Sequence, residues 1–128
     1  MVVESFDELE QRKVDASGKI VLFNHKWIDY PSSVDYRVDG PSIAAKYGAK
    51  AMLVRSLASE SIYSVHTGYM QYDPQYEKIP CAAITVEDSE MFKRMQNRGQ
   101  KIVVELNLET QFVPNSNSAN LIFEIVGA

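Results

Sequence analysis

The sequence has little of what metal, disulfide or nucleic-acid chemistry needs. Its 128 residues include one cysteine, Cys81, and two histidines, His25 and His66. A lone cysteine makes no internal disulfide and leaves oxidising and reducing compartments both open. A zinc site needs several ligands converging from a rigid frame. Two distant histidines, with no His-Glu-x-x-His and no cysteine pair, do not supply one. Basic residues are also outnumbered, 13 against 17 acidic, for a net charge of −4. A nucleic-acid partner wants a clustered basic face, so none is expected. No apolar run approaches the ~20 residues of a membrane span, and no basic-then-apolar leader opens the chain. No Gly-x-Ser-x-Gly elbow is present. Asp39-Gly40-Pro41 is not a phosphate loop, because proline removes a donor where phosphate wants one.

What is present suits one mixed α/β domain with its own core. The hydrophobic fraction is 45% and the charged fraction 23%, ordinary values for a globular chain. The organising stretch runs from Asp39 to Arg55. Pro41 fits a first helical turn, with Asp39 or Gly40 as cap, and Gly48 suits a left-handed stop. Ile43, Ala44 and Tyr47 fall at helical spacing. Ala51-Met52-Leu53-Val54 then reads as a strand covered on both faces. The unit recurs, with a strand over Ile79–Val86 and a helix over Asp88–Asn97, which argues for parallel strands joined by helical crossovers.

Ahead of that unit, Met1–Val3 reads as the end of a strand. Ser5-Phe6-Asp7-Glu8 has the form of a capping box, and Lys19–Phe23 is a buried strand rich in branched residues. Asn24–Val38, with Asp29, Pro31 and Ser32, reads as a long connection. Ser56–Lys78 reads as a second irregular stretch, with Asp73-Pro74 as a turn. Lys101–Glu109 alternates, with Ile102, Val104, Leu106 and Leu108 facing one way, as in a half-buried antiparallel strand. Asn120–Val126 reads as a last strand.

Three segments together resemble a known family. They are Gly18-Lys19-Ile20-Val21-Leu22-Phe23-Asn24, the Gly40–Arg55 helix–strand unit, and Lys78–Asp88 with its Ile79-Pro80-Cys81-Ala82-Ala83-Ile84-Thr85-Val86 core. They resemble the protease-associated (PA) domain, in the version inserted in zinc exopeptidases of the plasma glutamate carboxypeptidase, or carboxypeptidase Q, type. His66-Thr67-Gly68 and the ending Asn120–Gly127 are similar to that subfamily as well. The resemblance implies one PA domain over residues 1–128, cut from a larger peptidase. It implies a layered β/β/α fold, with a parallel-rich central sheet flanked by short helices and a smaller antiparallel sheet. The family's zinc ligands and catalytic glutamate lie in the peptidase domain, so no catalytic residue, metal or cofactor is expected in this domain. The implied role is accessory, either covering or shaping access to the active site or contacting another protein. The implied partner is the peptidase domain of the same parent chain, and the implied setting is extracellular, secretory or lysosomal. A stand-alone peptide- or protein-binding module is the alternative.

The best candidate surface is the loop from Ser59 to Tyr76, with Tyr63, His66, Thr67, Gly68, Tyr69 and Tyr72. Tyrosines offer flat amphipathic area at low entropy cost, and His66 adds a polar, pH-sensitive group. The same tyrosines could instead only pack the loop onto the body, and both readings stay open from the sequence. Cys81 sits in a buried-strand pattern and reads as core, not as a nucleophile. Trp27 and Tyr30 read as packing.

Overall fold

The computed structural model describes residues 1–60, 63–111 and 113–127. Four short parallel strands form one sheet in the order β1-β2-β3-β4. They are β1 (Val2–Val3), β2 (Ile20–Phe23), β3 (Ala51–Arg55) and β4 (Cys81–Ile84). The register sets Leu22 beside Val2 and Leu53, and Leu53 beside Ala82. Because side chains alternate across a strand, each strand feeds both faces. The apolar runs of β2 and β3 are buried almost throughout, as a sheet covered on two sides requires.

On one face Val3, Val21, Phe23, Met52 and Val54 join Leu9, Ala16 and Ala44 in the main core. The helices of this face are α1 (Phe6–Gln11), α2 (Lys13–Ala16), α3 (Tyr30–Val38) and α4 (Gly40–Lys46). The other face carries the smaller cluster Val2, Leu22 and Leu53, packed against Phe92 of α5 (Val86–Asn97) and against Val104 and Leu106. Edge strand β1 is closed off by a side chain. The Val2 amide donates to Gln96 Oε1 at 2.7 Å, and Gln96 Nε2 donates back to the Val2 carbonyl at 2.9 Å. One amide thus stands in for a neighbouring strand.

The helix starts follow their local chemistry. Ser5 Oγ accepts from the Glu8 amide at 3.0 Å, as the capping pattern predicts. Thr85 caps α5 in the same way, accepting from the Asp88 amide at 3.1 Å. Gly48 ends the α4 turn at φ +78°, in the left-handed region.

Three expectations are corrected. The stretch read as a long connection contains α3. Asp29 Oδ1 accepts from the Ser32 amide at 2.8 Å and Pro31 lies in the first turn, so the apparent loop residues are a helix start. The β3-to-β4 crossover is not helical. Residues 56–80 run as an irregular loop among the described residues. The smaller antiparallel sheet is not formed among the described residues, where 101–111 and 113–127 carry no strand. The alternation at 101–106 is nonetheless used, since Ile102, Val104 and Leu106 are half-buried while Lys101, Val103 and Glu105 are exposed. What the segment lacks is a strand neighbour, because alternation specifies a buried side but not a ladder partner. Leu121, Phe123 and Ile125 are exposed.

Candidate functional site

The β3–β4 crossover loop lies along α3 and α4. The His66 amide donates to Ser56 Oγ at 2.8 Å, the Gln71 amide to the Val38 carbonyl at 3.1 Å, and the Asp73 amide to Ser42 Oγ at 2.8 Å. Gln71 Nε2 donates to Asp39 Oδ1 at 2.7 Å. These bonds satisfy the backbone of a segment that has no ladder or helix of its own.

At the centre of this contact is Arg37, on the inner side of α3 and only 7% exposed. Its Nε donates to the Tyr69 carbonyl at 3.1 Å and its Nη2 to the Tyr30 hydroxyl at 2.9 Å. The Tyr30 ring lies 5.8 Å from the guanidinium carbon, and the His66 ring lies 5.7 Å from the Tyr30 ring. Gly68 crosses the guanidinium so closely that a side chain there would sit 2.8 Å from Cζ. A cavity of about 290 Å³ lies beside it, lined by Arg37, Thr67 and Gly68 above Met52, Val54 and Ala83 of the sheet. It adjoins a second cavity of about 580 Å³ through their shared residues Met70 and Cys81.

Of the six loop residues named from sequence, Thr67, Gly68 and the Tyr69 backbone converge on Arg37, with His66 one ring away. Tyr69 itself is 70% exposed. Tyr72 stands in the second cavity, half-buried. Tyr63 lies apart, at the start of α5. Its amide donates to Glu87 Oε1 at 3.0 Å and its hydroxyl to Asp88 Oδ1 at 3.3 Å, from a left-handed backbone at φ +49°. Arg37 belongs to the constellation and was not singled out, and Tyr30, read from the sequence as packing, is 43% exposed and belongs to it as well. The usable signal was an arginine between Tyr36 and Val38, on a helix whose buried residues are Ser33 and Arg37.

Cys81 is not poised as a nucleophile. Its thiol donates to the Ile79 carbonyl at 3.2 Å, and the Tyr72 hydroxyl donates to the same carbonyl at 2.8 Å. Burial pushes the thiol up to about 11. Burial, with the neighbouring Cys81, pushes the Tyr72 phenol up to about 12. Both groups are therefore held protonated in the fold. Their stabilisation is complete below the ordinary thiol and phenol values of 9.0 and 10.0, and is lost as pH rises through about 11 and 12. The thermal midpoint is expected to hold to about pH 9 and then fall. The Tyr72→Phe/Cys81→Ala variant should fall less steeply, and equal slopes would refute the assignment.

Among the described residues no group of three or more histidine, cysteine or acidic side chains comes together. His25 is stacked on Tyr36 at 4.2 Å, and His66 Nδ1 is bonded to the Leu57 carbonyl. Among the described residues no helix is long and apolar enough to cross a membrane.

No family model matches the sequence. Carboxypeptidase Q of Bos taurus is 50% identical over all 128 residues, and the chain covers 27% of it. The chain is homologous to a segment of carboxypeptidase Q. The human protein is 49% identical and the Xenopus laevis protein 47%, with the same coverage. The chain thus spans about a quarter of the length of the carboxypeptidase Q relatives it matches. A solved peptidase M28 precursor from Shewanella amazonensis SB2B superposes with a TM-score of 0.72. That likeness covers 78% of this chain and 24% of the bacterial one at 24% identity, and is one of fold.

Proposed function

We propose that residues 1–128 form a single protease-associated domain, the non-catalytic accessory part of a longer zinc-dependent exopeptidase. The observation that carries this is the match of the whole chain, at 47–50% identity, to 27% of carboxypeptidase Q. The site supports the reading. It offers exposed aromatic surface on the crossover loop, from Tyr63 and Tyr69. Zinc and the hydrolytic residues then belong to the remainder of the parent enzyme, which is also the domain's partner, in a secretory or lysosomal setting. The domain's work is to shape access to the active site, with Tyr63, His66, Thr67, Gly68, Tyr69 and Tyr72 on the loop that faces substrate or partner. A stand-alone peptide-binding module is the second reading, favoured by the exposure of Tyr63 and Tyr69, each about 70%.

The test uses the longer enzyme and the chain side by side. With zinc added, the chain alone is expected to hydrolyse no peptide. The Tyr63→Ala/Tyr69→Ala variant of the longer enzyme is expected to change KM or kcat for short peptides. Both side chains are mostly exposed, so the stability cost should stay within ~0.5 kcal/mol. Turnover by the chain alone, or unchanged kinetics in the variant, would count against the proposal.

A further inference from the structure

We propose that the cavity of about 400 Å³ on the α5 face of the sheet binds a small amphipathic anion, a medium-chain fatty acid. This goes beyond the accessory-domain reading and does not rest on it. The cavity is apolar in its depth and basic at its mouth. Leu22 and Leu53 of the sheet, Phe92 of α5, and Ile102 and Val104 of the following segment form the apolar wall. Lys19 and Lys101 line the opening, and both are exposed. No acidic side chain lines the cavity, although acidic residues outnumber basic ones 17 to 13 in the chain. The ion pairs among the described residues use Arg12, Arg55 and Lys93, so neither lysine is engaged in one. Lys19 is fixed at the mouth through its backbone. Its amide donates to the Ala16 carbonyl at 3.0 Å, and its carbonyl accepts from the Lys50 amide at 2.8 Å.

Size and lining together select the ligand. Small-molecule sites of ~300–1,000 Å³ are mostly apolar, with a few polar groups that orient what binds. The wall takes a hydrocarbon tail, and each buried methylene is worth about fourfold in affinity. The two ammonium groups take one anionic head at the mouth, where it keeps part of its water and avoids the cost of full burial. Their methylene stems can lie along the tail as well. A peptide suits the cavity less. Its amides would need partners inside an apolar wall, and the Val2 amide and carbonyl, at the sheet edge, are already taken by Gln96. A cationic amphiphile is repelled by the same two lysines.

The experiment is titration of the chain with octanoate, 1-octanol and butyrate, read by calorimetry and by methyl resonances. Octanoate is expected to bind more tightly than octanol, and more tightly than butyrate by about fourfold per methylene. The methyl resonances of Leu22, Leu53 and Val104 should shift, and those of Val21, on the other face, should not. Lys19→Gln/Lys101→Gln removes two charges from exposed positions. It should weaken octanoate about threefold or more and leave octanol unchanged, as the loss of two exposed charge contacts predicts. Added salt should narrow the gap between octanoate and octanol. Octanoate no tighter than octanol, unmoved methyl groups on the α5 face, or an unchanged double variant would overturn the proposal. So would the absence of binding at millimolar octanoate. Those failures would leave the accessory-domain reading standing, because that reading is tested by kinetics of the longer enzyme.

Discussion

Phe23→Ala is expected to destabilise the chain by about 3–5 kcal/mol, the range for deleting a buried aromatic ring. Phe23 ends β2, fully buried, with Val3 beside it on β1 and Val54 on β3. Its ring meets Phe6 of α1 edge-on at 5.2 Å and Tyr36 of α3 at 5.7 Å. Gly40 of α4 lies against it so tightly that a Cβ there would come within 3.2 Å of the ring. Three helices therefore converge on one side chain. The void left by truncation cannot close without moving them together, which places the cost high in the large-to-small range. Aromatic pairing adds ~0.5–1.5 kcal/mol per pair beyond area. Urea unfolding followed by circular dichroism should show a lower midpoint at unchanged slope. A loss under ~1 kcal/mol would mean that the helices do not meet at Phe23.

Phe23 was legible from the sequence because its strand is a run of apolar, mostly branched residues, and such a run reports burial on both faces directly. The same holds for β3 and for the Ser5 helix start, whose signals are local. Helix α3 was not legible for a physical reason. Its buried residues are Ser33 and Arg37, so no apolar stripe marks the 3.6-residue period, and Asp29, Pro31 and Ser32 suit turns as well as caps. The 101–106 segment shows the limit of alternation. Val104 and Leu106 do face the body, but whether a strand lies alongside is decided by other parts of the fold. The loop aromatics could be named as a surface from their composition. Arg37 could not, because its bond to Tyr69 spans 32 residues and its burial is a property of the folded neighbourhood.

Leu53→Ala probes the opposite face, and there the expected loss is smaller, about 2–3 kcal/mol, the lower part of the ~2–5 kcal/mol range for leucine truncation. Leu53 is 2% exposed and packs with Val2 and Leu22. Its cover, however, is one helix and an extended segment, beside an open cavity of about 400 Å³ lined by Val2, Leu22, Leu53, Phe92 and Val104. A site next to open space relaxes on truncation, through rearrangement of Phe92 or entry of water, and so retains less of the cavity penalty. The comparison with Phe23→Ala separates the two faces within one chain. A third variant, Val104→Ala, tests whether the 101–106 segment is held on that face. Packed neighbours couple by ~0.5–3 kcal/mol, whereas independent sites add within ~0.3–0.5 kcal/mol. Combined with Leu53→Ala, Val104→Ala is expected to cost less than the sum of the single losses, because either truncation opens the same cavity. Strict additivity would show that the segment is not seated against the sheet and that α5 alone covers Leu53.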